Sequence, residues 1–224
     1  FQMHYPGTTY DLLDVWSPTK VWPYYTLVPA YKHMSSHPWQ WKLFYHLSNN
    51  YLYEIAYDFH TWITCERFVR KQIASYEPDV VVSVHPTMNN VPMISTRKIA
   101  KKEGRDIPFF TVVTDFGSAH TTWFRKGVDG LFVASERIRT LAKRRGCRKD
   151  KLVMSGLPIR HDFAVEAERL GDRTSESGLA YQRSVREALG VDTSRNMVLV
   201  MGGGEGVGSL SDIVDGLYAK FVRA

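Results

Sequence analysis

The sequence predicts an α/β protein in which helices cover a doubly wound parallel β-sheet. Short segments rich in β-branched residues alternate with helical segments along the chain, which is the pattern of βαβ units. The β-type segments are apolar at nearly every position, as expected for parallel strands with both faces covered. With 224 residues, 44% hydrophobic and 23% charged, the chain has the composition of an ordinary globular protein.

The predicted elements can be placed in order along the chain. Residues 10–16 predict a strand, the aromatic-rich residues 21–47 predict short helices between prolines, and residues 49–76 keep the period of a long amphipathic helix. Strands and helices then alternate. The predicted strands are 78–84, 107–114, 129–134 and 151–155, and the predicted helices are 91–103 and a helix capped by Ser135 that runs to Gly146.

The C-terminal end of the sequence predicts the beginning of a second domain. A strand-like segment, 197–201, runs into the turn GGGEGVG, and glycine lets a backbone approach a phosphate closely. The turn alone is a weak signal, because its spacing is neither GxGxxG nor a P-loop. We expect a first domain over 1–160, a linker with a short helix over 161–196, and the first βα unit of a truncated domain over 197–224.

The basic charge of the chain predicts an anionic partner. The formal net charge is +6 and the isoelectric point is about 9.3. No nucleic-acid-binding motif is recognisable, so an acidic membrane surface is favoured over nucleic acid. The cations that we expect to face anionic lipid lie on one predicted helix and are Arg137, Arg139, Lys143 and Arg144. A merely solvated helix face is the alternative.

Polar side chains follow the predicted strands at their carboxyl ends, where ligands bind in open α/β sheets. His85 and Pro86 follow the first strand of the sheet, and Asp115 follows the second. Taken singly, Asp115 could cap a turn and His85 could bind a backbone carbonyl. Because both strands end at one edge of the sheet, the sequence predicts a shared site there.

The loop after Asp115 is the most unusual segment of the sequence. It contains His120 and ends in the bulky pair Trp123 and Phe124. This pair could be buried in the core, or it could form a rim that docks an apolar ligand or lipid. A metal site made of His85, Asp115 and His120 has no metal-ligand spacing to support it, and we expect no metal.

Six segments of the chain occur together in an order that is characteristic of one family. They are Ser83-Val84-His85-Pro86, Asn90-Val91-Pro92, Thr111-Val112-Val113-Thr114-Asp115, His120 with Thr122-Trp123-Phe124, Gly156-Leu157-Pro158-Ile159-Arg160, and Met201 to Gly206. Each segment is short, but the ordered set with its spacing resembles the monogalactosyldiacylglycerol synthases. These are MurG-like glycosyltransferases of the GT-B class.

The resemblance implies two Rossmann-like domains around a cleft and an enzyme that moves galactose from UDP-galactose to diacylglycerol. Transfer would proceed with inversion, without a metal ion or cofactor, in peripheral association with the plastid (chloroplast) envelope. The residues that the resemblance places on the acceptor or lipid side are Pro23, His85, Pro86, Asp115, His120, Trp123 and Phe124. Those that it places near the donor diphosphate are Gly202, Gly203, Gly204, Glu205 and Gly206.

The sequence departs from the family pattern at both ends. The glycine-rich loop whose His is the expected base is absent, so we expect the base upstream of Phe1, together with any targeting peptide. Most of the donor domain is also absent, and we expect this polypeptide alone to be inactive. A related diacylglycerol glucosyltransferase and a non-catalytic lipid- or nucleotide-binding protein are the alternatives.

Overall fold

Four parallel strands form the sheet that organises the N-terminal part of the chain. They are β1 (Val81–Ser83), β2 (Phe109–Val112), β3 (Gly130–Val133) and β4 (Leu152–Met154), hydrogen-bonded in the order β1-β2-β3-β4. The computed structural model describes residues 5–201 and 210–222. It divides the chain into two compact units, Phe1–Leu157 and Pro158–Ala224, and the sheet belongs to the first.

The described part of the first unit contains five α-helices. They are α1 (Leu27–Ser35), α2 (Pro38–Ser48), α3 (Tyr51–Ala74), α4 (Asn90–Glu103) and α5 (Glu136–Arg144). Local capping explains where two of them begin. The Asn50 side chain accepts a hydrogen bond of 2.9 Å from the backbone N–H of Tyr53, and the Ser135 hydroxyl accepts one of 3.3 Å from Ile138.

The predicted α/β fold is confirmed, because helices flank a fully parallel sheet. The long helix, the helix after β1 and the helix capped by Ser135 all lie where the sequence predicts them. The strand predicted over residues 10–16 is wrong, since these residues join no sheet. The Asp14 carboxylate there accepts hydrogen bonds from the backbone N–H groups of Trp16 and Ser17, which turns the chain into a 3₁₀-helix (Ser17–Thr19).

Two clusters of buried apolar side chains form the core of the first unit. One joins β2, β3 and α5 to the loop after β2 through residues such as Phe109, Leu131 and Ile138. The other joins α3 and α4 to the N-terminal segment, where Trp16 packs among Val69 and neighbouring side chains. The two clusters hold the carboxyl ends of β1 and β2 in place, and those ends carry the predicted site.

The second unit contains helices and no strand among its described residues. They are α6 (His161–Leu170), α7 (Glu176–Ala188) and α8 (Leu210–Val222). The predicted linker with a short helix over 161–196 contains two helices, and a hydrogen bond from the Tyr181 hydroxyl to Glu166 joins them. The strand predicted from Met197 is wrong, because no described residue pairs with residues 197–201. Within the described ranges, no helix is apolar over a length that could cross a bilayer.

Candidate functional site at the carboxyl edge of the sheet

Two histidines occupy equivalent turns at the carboxyl edge of the sheet. His85 follows β1 and caps a 3₁₀-helix (Pro86–Met88), and His120 caps a second 3₁₀-helix (Thr121–Trp123) in the loop after β2. Each ring accepts a hydrogen bond from the backbone N–H two residues later, at 3.4 Å in both turns. The pattern His-x-Thr thus builds the same local structure twice.

The His85 ring is held through its Nδ1 atom. Nδ1 lies 2.9 Å from the hydroxyl oxygen of Thr87, and that oxygen accepts a hydrogen bond of 3.2 Å from the indole N–H of Trp16. The backbone N–H of Thr87 also points at Nδ1. With donors directed at Nδ1, the neutral ring carries its proton on Nε2.

The His120 ring is held at both nitrogens. Its Nδ1 lies 2.8 Å from the hydroxyl oxygen of Thr122, and its Nε2 lies 3.2 Å from the hydroxyl oxygen of Ser48 at the end of α2. Ser48 in turn donates to the carbonyl of Tyr45, so its oxygen is available to accept the Nε2 proton of His120. The Tyr45 ring stands edge-on to the imidazole, with centroids 5.7 Å apart.

Asp115 supplies the negative charge of the site. Its Oδ2 accepts a hydrogen bond of 2.8 Å from the indole N–H of Trp123. Neighbouring protein atoms remove part of the hydration of both rings, which lowers the pKa of His85 and of His120 below the ordinary value, and the charge of Asp115 opposes this effect at both rings. One carboxylate therefore acts electrostatically on two imidazoles that favour the neutral form.

Asn89 ties the two histidine turns together. It is fully buried, and its amide nitrogen donates to the carbonyls of His85 at 3.2 Å and Pro86 at 3.0 Å in one turn, and to that of Thr122 at 3.2 Å in the other. Its oxygen accepts a 2.8 Å hydrogen bond from the Thr111 hydroxyl on β2. Sequence reasoning missed Asn89, although a buried asparagine directly after a strand-end turn is a signal for such a role.

Trp123 and Phe124 lie in the core. Their exposed fractions are 1% and 6%, and both pack in the cluster that contains Phe109 and Leu131. The hypothesis that they form a rim for lipid is therefore wrong, because neither ring reaches the surface. What Trp123 contributes to the site is the hydrogen bond that holds Asp115.

Two predicted acceptor-side prolines occupy turns. Pro86 opens the 3₁₀-helix after His85 and is half-buried. Pro23 follows the exposed Trp22 through a cis peptide bond and precedes a 3₁₀-helix (Tyr24–Thr26). No hydrogen bond joins Pro23 to the histidine turns within the described part of the chain.

The four predicted cations line the solvent side of α5. Ile138 and Ala142 bury the other side of this helix. Arg139 pairs with Glu136 at 2.8 Å, whereas Arg137, Lys143 and Arg144 have no acidic partner among the described residues. Three of the four cations are therefore available to an anion.

A buried ion-pair network connects α3 to the loop after β2. Arg125 donates to Glu54 at 2.9 Å and makes a two-pronged contact with Asp58 at 2.6 and 2.9 Å. Burial raises the pKa of Asp58, and the Arg125 charge opposes that increase. The two acids lie 71 and 67 residues before Arg125, so no local sequence pattern predicts these pairs.

The remaining predicted site residues, Gly202, Gly203, Gly204, Glu205 and Gly206, lie outside the described residues. In the portions that the structure covers, no group of three histidine, cysteine or acidic side chains converges as a metal site would require. A depression of about 330 Å³ lies on α4, and none of the predicted site residues lines it.

Comparison with known proteins places this geometry in a family. A family model described as monogalactosyldiacylglycerol (MGDG) synthase matches residues 2–159. The chain belongs to the MGDG synthase family. The matched segment contains both histidine turns, Asp115 and all four cations of α5.

Relatives from plants carry the same family name. The chain is 30% identical over 199 residues to a chloroplastic MGDG synthase of Spinacia oleracea, covering 88% of this chain and 35% of that protein. It is 28% identical over 215 residues to MGDG synthase 1, chloroplastic, of Arabidopsis thaliana, covering 93% and 37% respectively. The chain thus spans little more than a third of the length of these MGDG synthases.

Proposed function

We propose that this protein transfers galactose from UDP-galactose to 1,2-diacylglycerol, with inversion and without a metal ion, and that residues 5–157 bind the lipid acceptor. The observation that carries the proposal is the MGDG synthase match over the unit that contains His85, Asp115 and His120. The product in the relatives' name contains a galactosyl group and diacylglycerol. The chloroplastic relatives support a plastid envelope location for the same reaction.

The polar site suits a neutral oxygen-containing acceptor. A neutral imidazole with a proton on Nε2 donates a hydrogen bond, and the Asp115 carboxylate accepts one. A hydroxyl group can do both at once, and the single hydroxyl of diacylglycerol is such a group. A negatively charged ligand would be repelled by Asp115.

Neither histidine is proposed to remove the proton of the acceptor hydroxyl. A general base needs an imidazole lone pair that faces the substrate. In both rings, the Nδ1 lone pair already accepts hydrogen bonds from a threonine, Thr87 or Thr122. We assign no base among the described residues.

Exposed apolar side chains on and near α1, α2 and α3 support an acceptor that is delivered from a membrane. We call this set the aromatic surface, and its members are Trp22, Tyr31, Trp39, Trp41, Leu43, Phe44, Leu47, Leu52, Phe59 and Trp62. Trp39 on α2 is 67% exposed, which is unusual for so large an apolar ring in water. Tryptophan and tyrosine favour the boundary between a bilayer and water.

Ring contacts connect the aromatic surface to the histidine site. Tyr31 on α1 stands edge-on to Trp41 on α2 at 5.4 Å, and Trp41 lies 6.5 Å from Tyr45. Tyr45 then contacts His120 at 5.7 Å. We propose that the acceptor passes from the membrane to the polar site along α2.

The exposed cations of α5 support attraction to anionic lipid. Each basic residue close to an anionic membrane contributes about 1 kcal/mol. Arg137, Lys143 and Arg144 have no acidic partner in the portions that the structure covers, so their charges are not already neutralised. This electrostatic attraction would add to the apolar contribution that the aromatic surface makes to membrane binding.

For the donor, we propose that residues 202–206 contact the diphosphate of UDP-galactose. A glycine-rich turn can offer backbone N–H groups to a phosphate. This proposal rests on the sequence and on the family resemblance, since these residues lie outside the described part.

The assay for the proposed function uses the complete protein that contains this chain. It is incubated with diacylglycerol in vesicles containing phosphatidylglycerol and with UDP-galactose labelled in the sugar, in parallel reactions with and without a chelator. Formation of labelled β-galactosyl diacylglycerol is expected. Absence of transfer would overturn the proposal, and loss of transfer with the chelator would overturn its metal-free part.

A parallel reaction with labelled UDP-glucose tests the choice of sugar. The proposal predicts that galactosyl lipid is the main product when both donors are present in equal amounts. Glucosyl lipid as the main product would identify a diacylglycerol glucosyltransferase instead. Binding of diacylglycerol without transfer from either donor would indicate a non-catalytic lipid-binding protein.

A further inference from the structure

The two histidine turns are alike in local structure but differ in what the outer ring nitrogen contacts. His120 directs Nε2 to the Ser48 hydroxyl, so both of its ring nitrogens are engaged. Among the described residues, no hydrogen-bond partner faces Nε2 of His85, and its side chain is exposed. Both ring nitrogens of His120 therefore have a hydrogen-bond partner within the protein, whereas His85 keeps its Nε2–H available to a ligand.

We propose that Thr87 and Trp16 are positioning residues that hold His85 with its Nε2–H directed at an oxygen atom of the lipid acceptor. This inference rests on the proposed function for the identity of the acceptor. It assigns His85 as the ring that touches the ligand and His120 as a structural ring. It also assigns roles to two residues that lie outside the predicted acceptor side.

The Thr87 hydroxyl has one proton, and its neighbours decide where that proton points. The Trp16 indole can only donate, so the 3.2 Å contact uses a lone pair of the Thr87 oxygen. The hydroxyl proton is then directed at Nδ1 of His85, 2.9 Å away. Nδ1 cannot carry a proton while it accepts this bond, and the neutral ring keeps its proton on Nε2.

The chain of hydrogen bonds from Trp16 through Thr87 to His85, called the relay below, begins at a rigid part of the core. Trp16 is 2% exposed, and its ring packs against Tyr24 with centroids 5.4 Å apart and against Tyr57 at 6.5 Å. The Thr19 hydroxyl donates to the Trp16 carbonyl at 2.7 Å, which fixes the backbone as well. An exposed imidazole is thereby anchored through Thr87 to a side chain that cannot move freely.

The backbone of His85 is fixed independently of its ring. Its carbonyl accepts hydrogen bonds from the Asn89 amide at 3.2 Å and from the Ser83 hydroxyl at 3.3 Å. Ring rotation is then the main freedom left to His85, and Thr87 restricts it. Preorganisation of this kind strengthens binding because less freedom is lost when the ligand arrives.

The charge beside His85 indicates which ligand atom it binds. The Asp115 carboxylate acts on the His85 ring and disfavours a phosphate or another anion at this position. A neutral oxygen, in the hydroxyl or an ester carbonyl of a glycerolipid, can accept the Nε2 proton without this repulsion. The anionic lipids attracted by α5 would bind elsewhere.

The first test is made on this chain, labelled with ¹⁵N in histidine. In the unaltered chain, the Nδ1 resonance of His85 is expected at the position of a nitrogen whose lone pair accepts a hydrogen bond. Thr87→Val keeps the shape of the side chain but removes the hydroxyl, and it should shift the Nδ1 resonance toward the position of a nitrogen that accepts no hydrogen bond. Thr87→Ser keeps the hydroxyl, and its Nδ1 resonance should stay at the position seen in the unaltered chain. An Nδ1 that carries the proton in the unaltered chain would overturn the relay.

The second test is steady-state kinetics of the complete protein, in which Thr87→Val is compared with Thr87→Ser and Trp16→Phe. Loss of one oriented hydrogen bond predicts a KM for diacylglycerol raised about tenfold in Thr87→Val, with the KM for UDP-galactose unchanged. Thr87→Ser should stay within about twofold of the original protein. Trp16→Phe keeps most of the buried ring and should raise the same KM about threefold.

The outcomes separate this inference from the proposed function. An unchanged KM for diacylglycerol in Thr87→Val, or equal impairment in Thr87→Ser, would overturn the inference while galactosyl transfer stands. If the complete protein transfers no sugar, the proposed function fails, and the ¹⁵N result still decides the relay. Parallel melting curves of the variants show whether a changed KM reflects a loss of folded protein.

Discussion

The indole N–H of Trp123 donates a 2.8 Å hydrogen bond to Oδ2 of Asp115. The donor is 1% exposed, and the carboxylate lies at the carboxyl edge of the sheet, so the hydrogen bond joins the core to the site. The same carboxylate acts electrostatically on both site histidines. The position of the site charge is thus determined by core packing.

Substitution of Trp123 should destabilise the fold and leave membrane binding intact. Trp123→Ala removes a large buried ring, and we expect the free energy of unfolding to fall by about 3–5 kcal/mol. Binding of the folded fraction to phosphatidylglycerol vesicles should not change, because the ring does not reach the surface. Urea unfolding and vesicle co-sedimentation measure the two effects separately.

Trp123→Phe is the matched variant for this prediction. It retains an aromatic ring but cannot donate to Asp115, so we expect a smaller loss of about 2 kcal/mol. Weaker vesicle binding in Trp123→Ala with unchanged stability would restore the hypothesis of a lipid-docking rim.

Asn89→Ala should be among the most destabilising single changes in the first unit. It removes the side-chain hydrogen bonds to the carbonyls of His85 and Thr122 and the acceptor of the buried Thr111 hydroxyl, and we expect a loss of about 3 kcal/mol. Asn49→Ala is a suitable comparison, because Asn49 accepts one hydrogen bond of 3.0 Å from the Thr121 backbone. Its expected cost is about 1 kcal/mol, measured by the same urea titration. Equal costs would show that Asn89 does not join the turns.

Acid should weaken the fold through the two site histidines. The pKa of His85 and of His120 is lower in the folded protein than the value of about 6.5 in an unfolded chain. Between the folded value and 6.5, the unfolded chain binds more protons, so the free energy of unfolding decreases as the pH falls through this window. Urea unfolding between about pH 5.5 and 7.5 measures the slope. His120→Gln should reduce the slope of the free energy of unfolding against pH. An unchanged slope would contradict the claim that His120 contributes to this pH dependence.

The cations of α5 should govern binding to anionic vesicles. The triple change of Arg137, Lys143 and Arg144 to glutamine removes about 3 kcal/mol of attraction, or roughly 100-fold in affinity at low salt. The core side of the helix is not altered. The double change Arg137→Lys and Arg144→Lys keeps the charge and should bind like the original protein. Vesicle binding of the original protein that does not weaken as salt rises would exclude an electrostatic role.

The sequence predicted those parts of the fold that depend on local signals. The helix after Ser135 and the long helix α3 follow from a cap and an apolar period within one segment. The positions of His85 and Asp115 at neighbouring strand ends follow from strand alternation alone. Residues 10–16 have a strand-like pattern too, but the Asp14 carboxylate binds the backbone N–H groups that a ladder would need.

The contacts that complete the site could not be predicted in the same way. Ser48 meets His120 across 72 residues, and Arg125 meets Asp58 across 67. Such pairs depend on how α2 and α3 pack against the loop after β2, and periodicity carries no information about that packing. For the same reason, the sequence did not determine whether Trp123 is buried in the core or lines a lipid-docking rim. Its burial in the structure decided between the two.

The measurement that tests the account most directly is the acceptor kinetics of His85→Gln in the complete protein. The account predicts galactosyl transfer with a KM for diacylglycerol about tenfold higher and a KM for UDP-galactose within about twofold of the original. An unchanged KM for diacylglycerol, or a rise confined to UDP-galactose, would contradict the claim that this edge of the sheet binds the lipid acceptor.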